Sequence, residues 1–486
     1  MTGTHFTALL PIITLAVFAL AVMLLVAFRR HHGFTMGVSV VGLLCALGTL
    51  PFAGTVVPQH IGRLLVVDGY ALFFMGLLMC GSIAAMAFCY RYIEQRAQEP
   101  EELYLLLLLA TLGGLILVSS HHFVTLFIGL ELVSVSLFPL IAYPRQHRLP
   151  LEAAVKYLIL SGVSSAFLLF GMALLYAALG TMVFSEMASL LAKEGPLQQL
   201  HITLGLATVL VGLGFKLAVV PFHLWTPDVY EGAPAPVTAF LATVSKGAVL
   251  VLLFRYLTES DAYVYDSIAN TLGLIAIASM LIGNLLALLQ NNLKRILAYS
   301  SIAHLGYLLV VFLATQALAM EAISYYLVAY FVTTLGAFGI VTLLSQGEAE
   351  KETVFLDQYR GLFWRRPWVA GSLTAMLLSL AGIPITMGFV GKFYIFAAGV
   401  EAGLWLLIGV MILGSAIGLY YYLRVIAVMY YAMPLESGTV LGPGHSSVVF
   451  SPIHIMLVLL TVLLIWLGIY PAGLIDLIRS TSLSFV

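Results

Sequence analysis

Charged residues make up only 9% of this 486-residue chain, against about 25% in an ordinary soluble domain. That shortage argues against a cytosolic enzyme, and it also excludes disorder, because disordered chains are rich in charge and poor in apolar residues. The net charge of -1 gives no long-range attraction for nucleic acid. Cysteine is nearly absent. Cys45, Cys80 and Cys89 lie scattered in apolar stretches without metal-ligand spacing or a disulfide framework, and are expected as buried core residues. No glycine-rich phosphate loop, dinucleotide fingerprint, HExxH or GxSxG is found, so no redox-cofactor or metal site is expected in the chain.

What is present is apolar sequence, 62% of residues with a mean hydropathy of +1.07. A bilayer-crossing helix needs about 20 mostly apolar residues. Runs of that kind fill nearly the whole chain and predict an all-α polytopic membrane protein with about fourteen spans, a count set by that length rule. The first, near 7–28, has no basic residue before it and is followed by Arg29 and Arg30. A cleaved signal peptide carries its positive region in front, so this segment is expected to stay as a helix.

The basic residues then orient the spans. Arg29, Arg30, Arg91, Arg96, Arg145, Arg148, Lys294, Arg295, Lys351, Arg360, Arg365 and Arg366 fall in loops on one side. Only Arg63, Lys193, Arg255 and Arg479 fall on the other. By the positive-inside rule the crowded side faces the cytoplasm. Both termini are then expected outside; the resemblance described below implies a bacterial cytoplasmic membrane. Connections are short, and neither the charged stretch near 346–367 nor the Gly-, Ser- and Pro-rich stretch near 434–449 is large enough to fold alone.

A few ionisable residues interrupt the apolar spans. Glu131, Lys216, Lys246, His304 and Lys392 sit on five different spans with apolar neighbours on both sides. An ionised group at the bilayer centre costs on the order of 2.5–3.5 kcal/mol on insertion scales. Such groups therefore face a protein interior or a wet path, although any one of them alone could be a packed structural residue. Lys156 lies near the start of its span, where a lysine can snorkel to the interface, and Arg424 near an end is expected to be structural. Burial favours the neutral form of an amine or a carboxyl, and histidine titrates close to neutrality. Amines, an imidazole and one acid can thus load and unload protons. A glutamate whose distance to a lysine changes would act as a switch on such a site.

Two spans also look broken. Pro221, Pro227, Pro234 and Pro236 follow Lys216, and Gly382, Pro384, Gly388 and Gly391 precede Lys392. Irregular backbone at membrane depth persists only where it is buried or lines a cavity. Broken helices beside charged residues in both halves of a chain point to a transport path.

Three stretches, "PFHLWTPDVYEGAPAPVTAFLATVSK" (221–246), "NNLKRILAYSSIAHLGY" (291–307) and "LAGIPITMGFVGKFY" (380–394), resemble the antiporter-like membrane subunits of the bacterial proton-pumping NADH:quinone oxidoreductase, respiratory complex I. These are relatives of subunits of multi-component sodium/proton antiporters, and the likeness runs over essentially the whole chain. Lysine at 392 differs from the glutamate typical of subunit M, and no long lateral helix of the subunit L kind follows the last span.

The resemblance implies fourteen helices with two inverted five-helix repeats, helices 7 and 12 being broken. Residues 1–102 would hold helices 1–3, 103–257 the first repeat, 258–432 the second, and 433–486 the last helix. Glu131 would pair with Lys216, Lys246 would be the central lysine, and His304 and Lys392 would continue the path outward. Lys156, Asp228, Glu231 and Lys294 occur in matching stretches, and His223 falls in the break as a structural or gating residue. Flavin, iron–sulfur clusters and quinone would belong to partner subunits. The implied partners are the other membrane subunits, including subunit M and the small subunits near the quinone arm, together with lipid. A sodium/proton antiporter subunit and a membrane scaffold without transport stay open as competing readings.

Overall fold

The computed structural model describes residues 3–191, 196–262, 266–314, 316–346, 352–432 and 451–482. Lys193, Lys351 and the stretch 434–449 lie outside them.

The described chain is helical, apart from a small antiparallel hairpin. In chain order the elements are α1 (Gly3–Phe28), α2 (His32–Gly54), β1 (Gln59–Ile61), β2 (Leu65–Val67), α3 (Gly69–Glu94), α4 (Glu102–Val118), α5 (Phe123–Ile141), α6 (Arg148–Leu179), α7 (Phe184–Leu191) and α8 (Pro196–Leu217). There follow α9 (Trp225–Gly232), α10 (Ala235–Phe240), a π-helical turn (Leu241–Ser245), α11 (Lys246–Glu259), α12 (Asp266–Leu288), α13 (Leu293–Phe312) and α14 (Gln316–Leu344). A 3-10 turn (Leu356–Tyr359) leads to α15 (Leu362–Arg365), α16 (Pro367–Ala381), α17 (Met387–Glu401), α18 (Trp405–Tyr430), α19 (Pro452–Ile469) and α20 (Ala472–Ser482).

Among the described residues twelve helices are long and apolar enough to cross a membrane, with α4 and α16 as shorter apolar helices. Polar side chains start several of them. Asp68 accepts a hydrogen bond from the Ala71 N–H at the head of α3, and Asn292 does the same for Lys294 and Arg295 at the head of α13, each satisfying backbone donors that a helix start leaves free.

Burial sorts the helices into a centre and a rim. The segment from α10 to α11, with α13 and α14, is buried almost throughout, whereas α1, α2 and α19 expose most of their length. Large apolar side chains such as Leu20, Phe28, Phe170 and Trp466 cover the rim, the surface that lipid covers around a membrane helix bundle. Cys89 is buried as expected, but Cys45 and Cys80 lie on exposed faces. An apolar stretch in a membrane helix does not reveal which face looks inward, because lipid is as apolar as the core.

Both expected breaks are present. After α8 the chain turns at Ala218, whose φ of 61° is unusual for a residue with a side chain, and resumes as α9. A second interruption at Ala233 and Pro234 separates α9 from α10. Between α16 and α17 the chain turns through Gly382 (φ 84°) and Ile385 (φ 75°). Of the four residues expected in this second break, only Gly382 and Pro384 lie in it. Gly388 and Gly391 belong to α17 and let it pack closely.

Seven basic residues expected in loops, Arg91, Arg148, Arg255, Lys294, Arg295, Arg365 and Arg479, lie within helices, and two of them are buried there. Arg255 is fully buried in α11, bonded to Asp68 (2.8 Å) and Glu259 (3.1 Å), and His121 reaches the same glutamate at 2.5 Å. Lys294 stands in the first turn of α13 with its side chain wholly buried. Each is tolerated in the interior because an acid neutralises it.

Candidate functional site

The expected site residues form two groups. In the first, α5, α6 and α8 bring together Glu131 and Lys216. They form no direct ion pair; each is bonded to serine hydroxyls instead. Lys216, 5% exposed, donates to Ser134 (2.7 Å) and Ser161 (2.6 Å). Ser165, one helical turn beyond Ser161, donates to the Glu131 carboxylate at 2.5 Å. Ser134 also donates back to the Leu130 carbonyl, so it accepts from the lysine and gives to its own helix. The Glu131–Lys216 pair implied by the resemblance is thus a carboxylate and an amine held by different serines, two on the amine and one on the acid.

The second group occupies the most enclosed part of the molecule. Lys246, 1% exposed, begins α11 directly after the π-helical turn, a local widening that recurs at functional sites. Its ammonium nitrogen donates to Ser301 at 3.0 Å and lies 4.9 Å from the Tyr230 ring and 5.7 Å from the Trp225 ring, faces that attract a cation. Tyr330 donates to the same Ser301 at 2.8 Å.

One turn further along α13 is His304, 4% exposed. Its two nitrogens reach the hydroxyls of Tyr326 (2.5 Å) and Tyr422 (3.2 Å), and Tyr422 also bonds Ser300. The Tyr307 ring stands edge-on to His304 at 5.6 Å and lies 5.3 Å from the Lys392 nitrogen. Lys392, on α17, donates to the Ala381 carbonyl at 2.9 Å, the last residue of α16. The second break thus leaves a carbonyl that binds the lysine following it.

Lys246, His304 and Lys392 therefore lie in succession beside α13, with Ser301, Tyr330, Tyr326 and Tyr307 among them. Lys216 is set apart. Between it and Lys246 stand Trp225, Phe215 and Tyr157, whose rings pack at 4.9–6.4 Å, and the Trp225 indole N–H is held by the Phe215 carbonyl.

The other singled-out residues lie elsewhere. Lys156 bridges Glu152 and Asp228, both at 2.8 Å. Arg295 binds Asp228 and Glu231. His223 is buried in the break between α8 and α9. Arg424 donates to the Leu288 and Gln290 carbonyls at the end of α12. Among the described residues no three His, Cys, Asp or Glu side chains gather to hold a metal ion.

Sequence reasoning missed the hydroxyl partners. Ser134, Ser161, Ser165 and Ser301 were visible only as polar residues on the spans that carry the charges. Chemically, amines and an imidazole linked by hydroxyls can accept, hold and hand on protons, since each serine or tyrosine both donates and accepts.

A helix bundle with two broken helices, the first beside the buried Lys216 and the second beside the half-buried Lys392, is the architecture of an ion-translocating membrane subunit. Residues 120–418 match the family model described as NADH:quinone oxidoreductase/Mrp antiporter, TM, and the chain belongs to that family. Its relatives include subunit N of NADH-quinone oxidoreductase from Nitrosospira multiformis, 54% identical over 97% of this chain and 95% of the relative. Subunit N from Ectopseudomonas mendocina is 48% identical over 99% of this chain and 97% of the relative. Among solved structures, a chain of respiratory complex I from Thermus thermophilus with bound aureothin is 33% identical, with a TM-score of 0.80, over 96% of this chain and 98% of that one.

Proposed function

We propose that the chain is the proton-translocating membrane subunit N of an NADH:quinone oxidoreductase, acting with the other membrane subunits of the complex. Its neighbours would include subunit M and the small subunits near the quinone arm. Redox chemistry belongs to the partner subunits, and this chain moves protons in response to it. Its place is the bacterial cytoplasmic membrane, with the arginine-rich ends of the helices inside and both termini outside. The short α4, and α16 with α17 taken together, complete fourteen spans. Helices α4–α11 and α12–α18 then correspond to two inverted halves, 103–257 and 258–432, between the segments 1–102 and 433–486.

In this reading water from inside supplies Lys216 or Lys246. Protons pass from Lys246 through Ser301 and His304 to Lys392 and leave on the outer side. Glu131 acts on Lys216 through the serines that hold them. A shift of Glu131 changes how firmly that lysine holds its proton, because charges interact strongly where water is scarce.

The observation that carries the reading is Lys246, a lysine buried to 1% exposure and held by a hydroxyl that a tyrosine also binds. No acid within ion-pair distance fixes its charge among the described residues. Kinship with subunit N favours the respiratory complex over an antiporter, and a scaffold would not need ionisable groups, three of them buried, on five membrane helices.

Lys246→Ala tests it. In the intact complex reconstituted into vesicles, proton uptake is expected to fall at least tenfold while complex content stays normal. Normal pumping coupled to normal quinone reduction would overturn the assignment of Lys246.

A further inference from the structure

A cavity of about 430 Å³ opens between the ends of α3 and α6, the α9–α10 junction and the segment after α14. These are the ends that carry Arg91, Arg96 and Arg148. The titratable groups facing it are Tyr92, Arg96, His147, Arg148, Glu231 and Glu352. A second cavity, lined by Leu50, Pro51, Phe73, Leu477 and their neighbours, has no titratable side chain in its wall.

Glu352 forms the floor of the first. Its side chain is 15% exposed, and one carboxylate oxygen accepts from Lys294 at 2.6 Å. The other accepts from the Tyr92 hydroxyl and from the Ala235 N–H at 2.8 Å. Lys294 is wholly enclosed and also donates to the carbonyls of Ala233 (2.6 Å) and Glu231 (3.0 Å) at the α9–α10 junction. A buried amine thus touches a wet carboxylate on one side and the backbone leading into Lys246's own helix on the other. Lys294 and Ser301, the hydroxyl that holds Lys246, are seven residues apart on α13. They lie on one face about 10 Å apart along the axis.

We propose that this cavity is the intake mouth of the proton path and that Glu352 and Lys294 pass protons from it toward Lys246. The inference rests on the proton-translocation reading above. Water in the cavity protonates the Glu352 carboxylate. The Lys294 ammonium releases a proton to water on its inner side and becomes a neutral amine. The Glu352 carboxyl then gives its proton to that amine, which restores the carboxylate–ammonium pair. One proton has moved inward and the pair is unchanged. A purely structural clamp between the segment at 352 and the α9–α10 junction would need only the charges and the hydrogen bonds.

Lys294→Arg separates the two roles, because arginine keeps charge and donors but does not release its proton at working pH. In the intact complex reconstituted into vesicles, Lys294→Arg is expected to lower proton uptake at least threefold at unchanged complex content. The second measurement leaves the pair untouched. In a background with Cys45, Cys80 and Cys89 replaced by serine, Leu149→Cys in the cavity wall is labelled with a charged, membrane-impermeant thiol reagent from the face bearing Arg148. Labelled complex is expected to pump at least threefold more slowly than the same variant unlabelled. Where Lys294→Arg fails to assemble, the labelling decides. Wild-type uptake in both measurements would overturn the intake path. If Lys246→Ala still abolishes uptake in that case, the failure belongs to the intake alone; normal uptake in Lys246→Ala as well would place the failure in the underlying reading.

Discussion

Lys216 shows how a single residue's surroundings define its task. Two serine hydroxyls hold its nitrogen, and a third hydroxyl holds Glu131, the acid proposed above to act on it. Hydrogen bonds to a charged group are worth about 1.5–3 kcal/mol each, so the pair of serines decides how readily the amine keeps its proton. The double variant Ser134→Ala, Ser161→Ala is expected to reduce proton uptake about fivefold or more with complex content retained, measured in reconstituted vesicles. Unchanged uptake would mean that the serines only fill space. Charges such as Lys216 and His304 were legible in the sequence because a titratable group stands out in an apolar run, where its ionised form is costly. The serines were not, because a membrane-helix serine commonly bonds back to its own helix, as Thr111 does to Leu107. Tyr326 and Tyr422 were hidden for a related reason: an aromatic in an apolar span is ordinary packing until its hydroxyl finds a histidine.

Helices and breaks were the most legible elements, since length and proline or glycine placement fix both. The π-helical turn before Lys246 left no mark in composition, and the two interruptions around α9 read as one because four prolines follow one another closely. Arg255 and Lys294 were misassigned to loops because a basic residue near a helix end looks the same whether it faces water or a buried acid. Packing at the second break is tight. A β-carbon on Gly388 would stand 1.9 Å from the Ser379 carbonyl oxygen, forcing α17 away from α16. Gly388→Ala is therefore expected to destabilise the subunit by about 3 kcal/mol, the upper part of the overpacking range, and to displace Lys392, read as a lower unfolding temperature together with lost pumping.

The segment after α14 offers an acid test at the same scale. It pairs with the start of α13 through the Leu293 N–H on the Val354 carbonyl and the Leu356 N–H on the Asn291 carbonyl. Burial pushes the Glu352 carboxyl up, but the Lys294 charge and the hydrogen bonds from Lys294, Tyr92 and Ala235 outweigh it and hold Glu352 below the usual carboxylate value. A lowered value means that the carboxylate contributes its full stability above the ordinary range and loses it as pH falls through the lowered one. Amide exchange across 352–359 should stay slow at neutral pH and quicken only in strong acid. Quickening near neutrality would contradict the ion pair.

At the scale of the whole molecule, the residues read as a proton path gather where burial is deepest. The helices that carry Lys246, His304, Tyr326 and Tyr330 are those most enclosed by protein, Tyr422 reaches them from the more exposed α18, and the rim helices α1, α2 and α19 carry none of the expected site residues. The buried Asp68–Arg255–Glu259–His121 set ties α3 and α11 to the start of α5 at the end opposite the Glu352 cavity, which leaves α10 and α11 anchored at both ends around Lys246. Composition could show that the chain lives in a bilayer, but not which helices form the centre, because core and lipid ask for the same residue types. The account's central claim is that a hydrated route joins the buried lysines and histidine across this centre. The ordered-water map of the intact complex at high resolution tests it most directly: waters bridging Ser301, His304, Tyr307 and Lys392 are expected, and dry apolar packing that seals those groups from one another would contradict it.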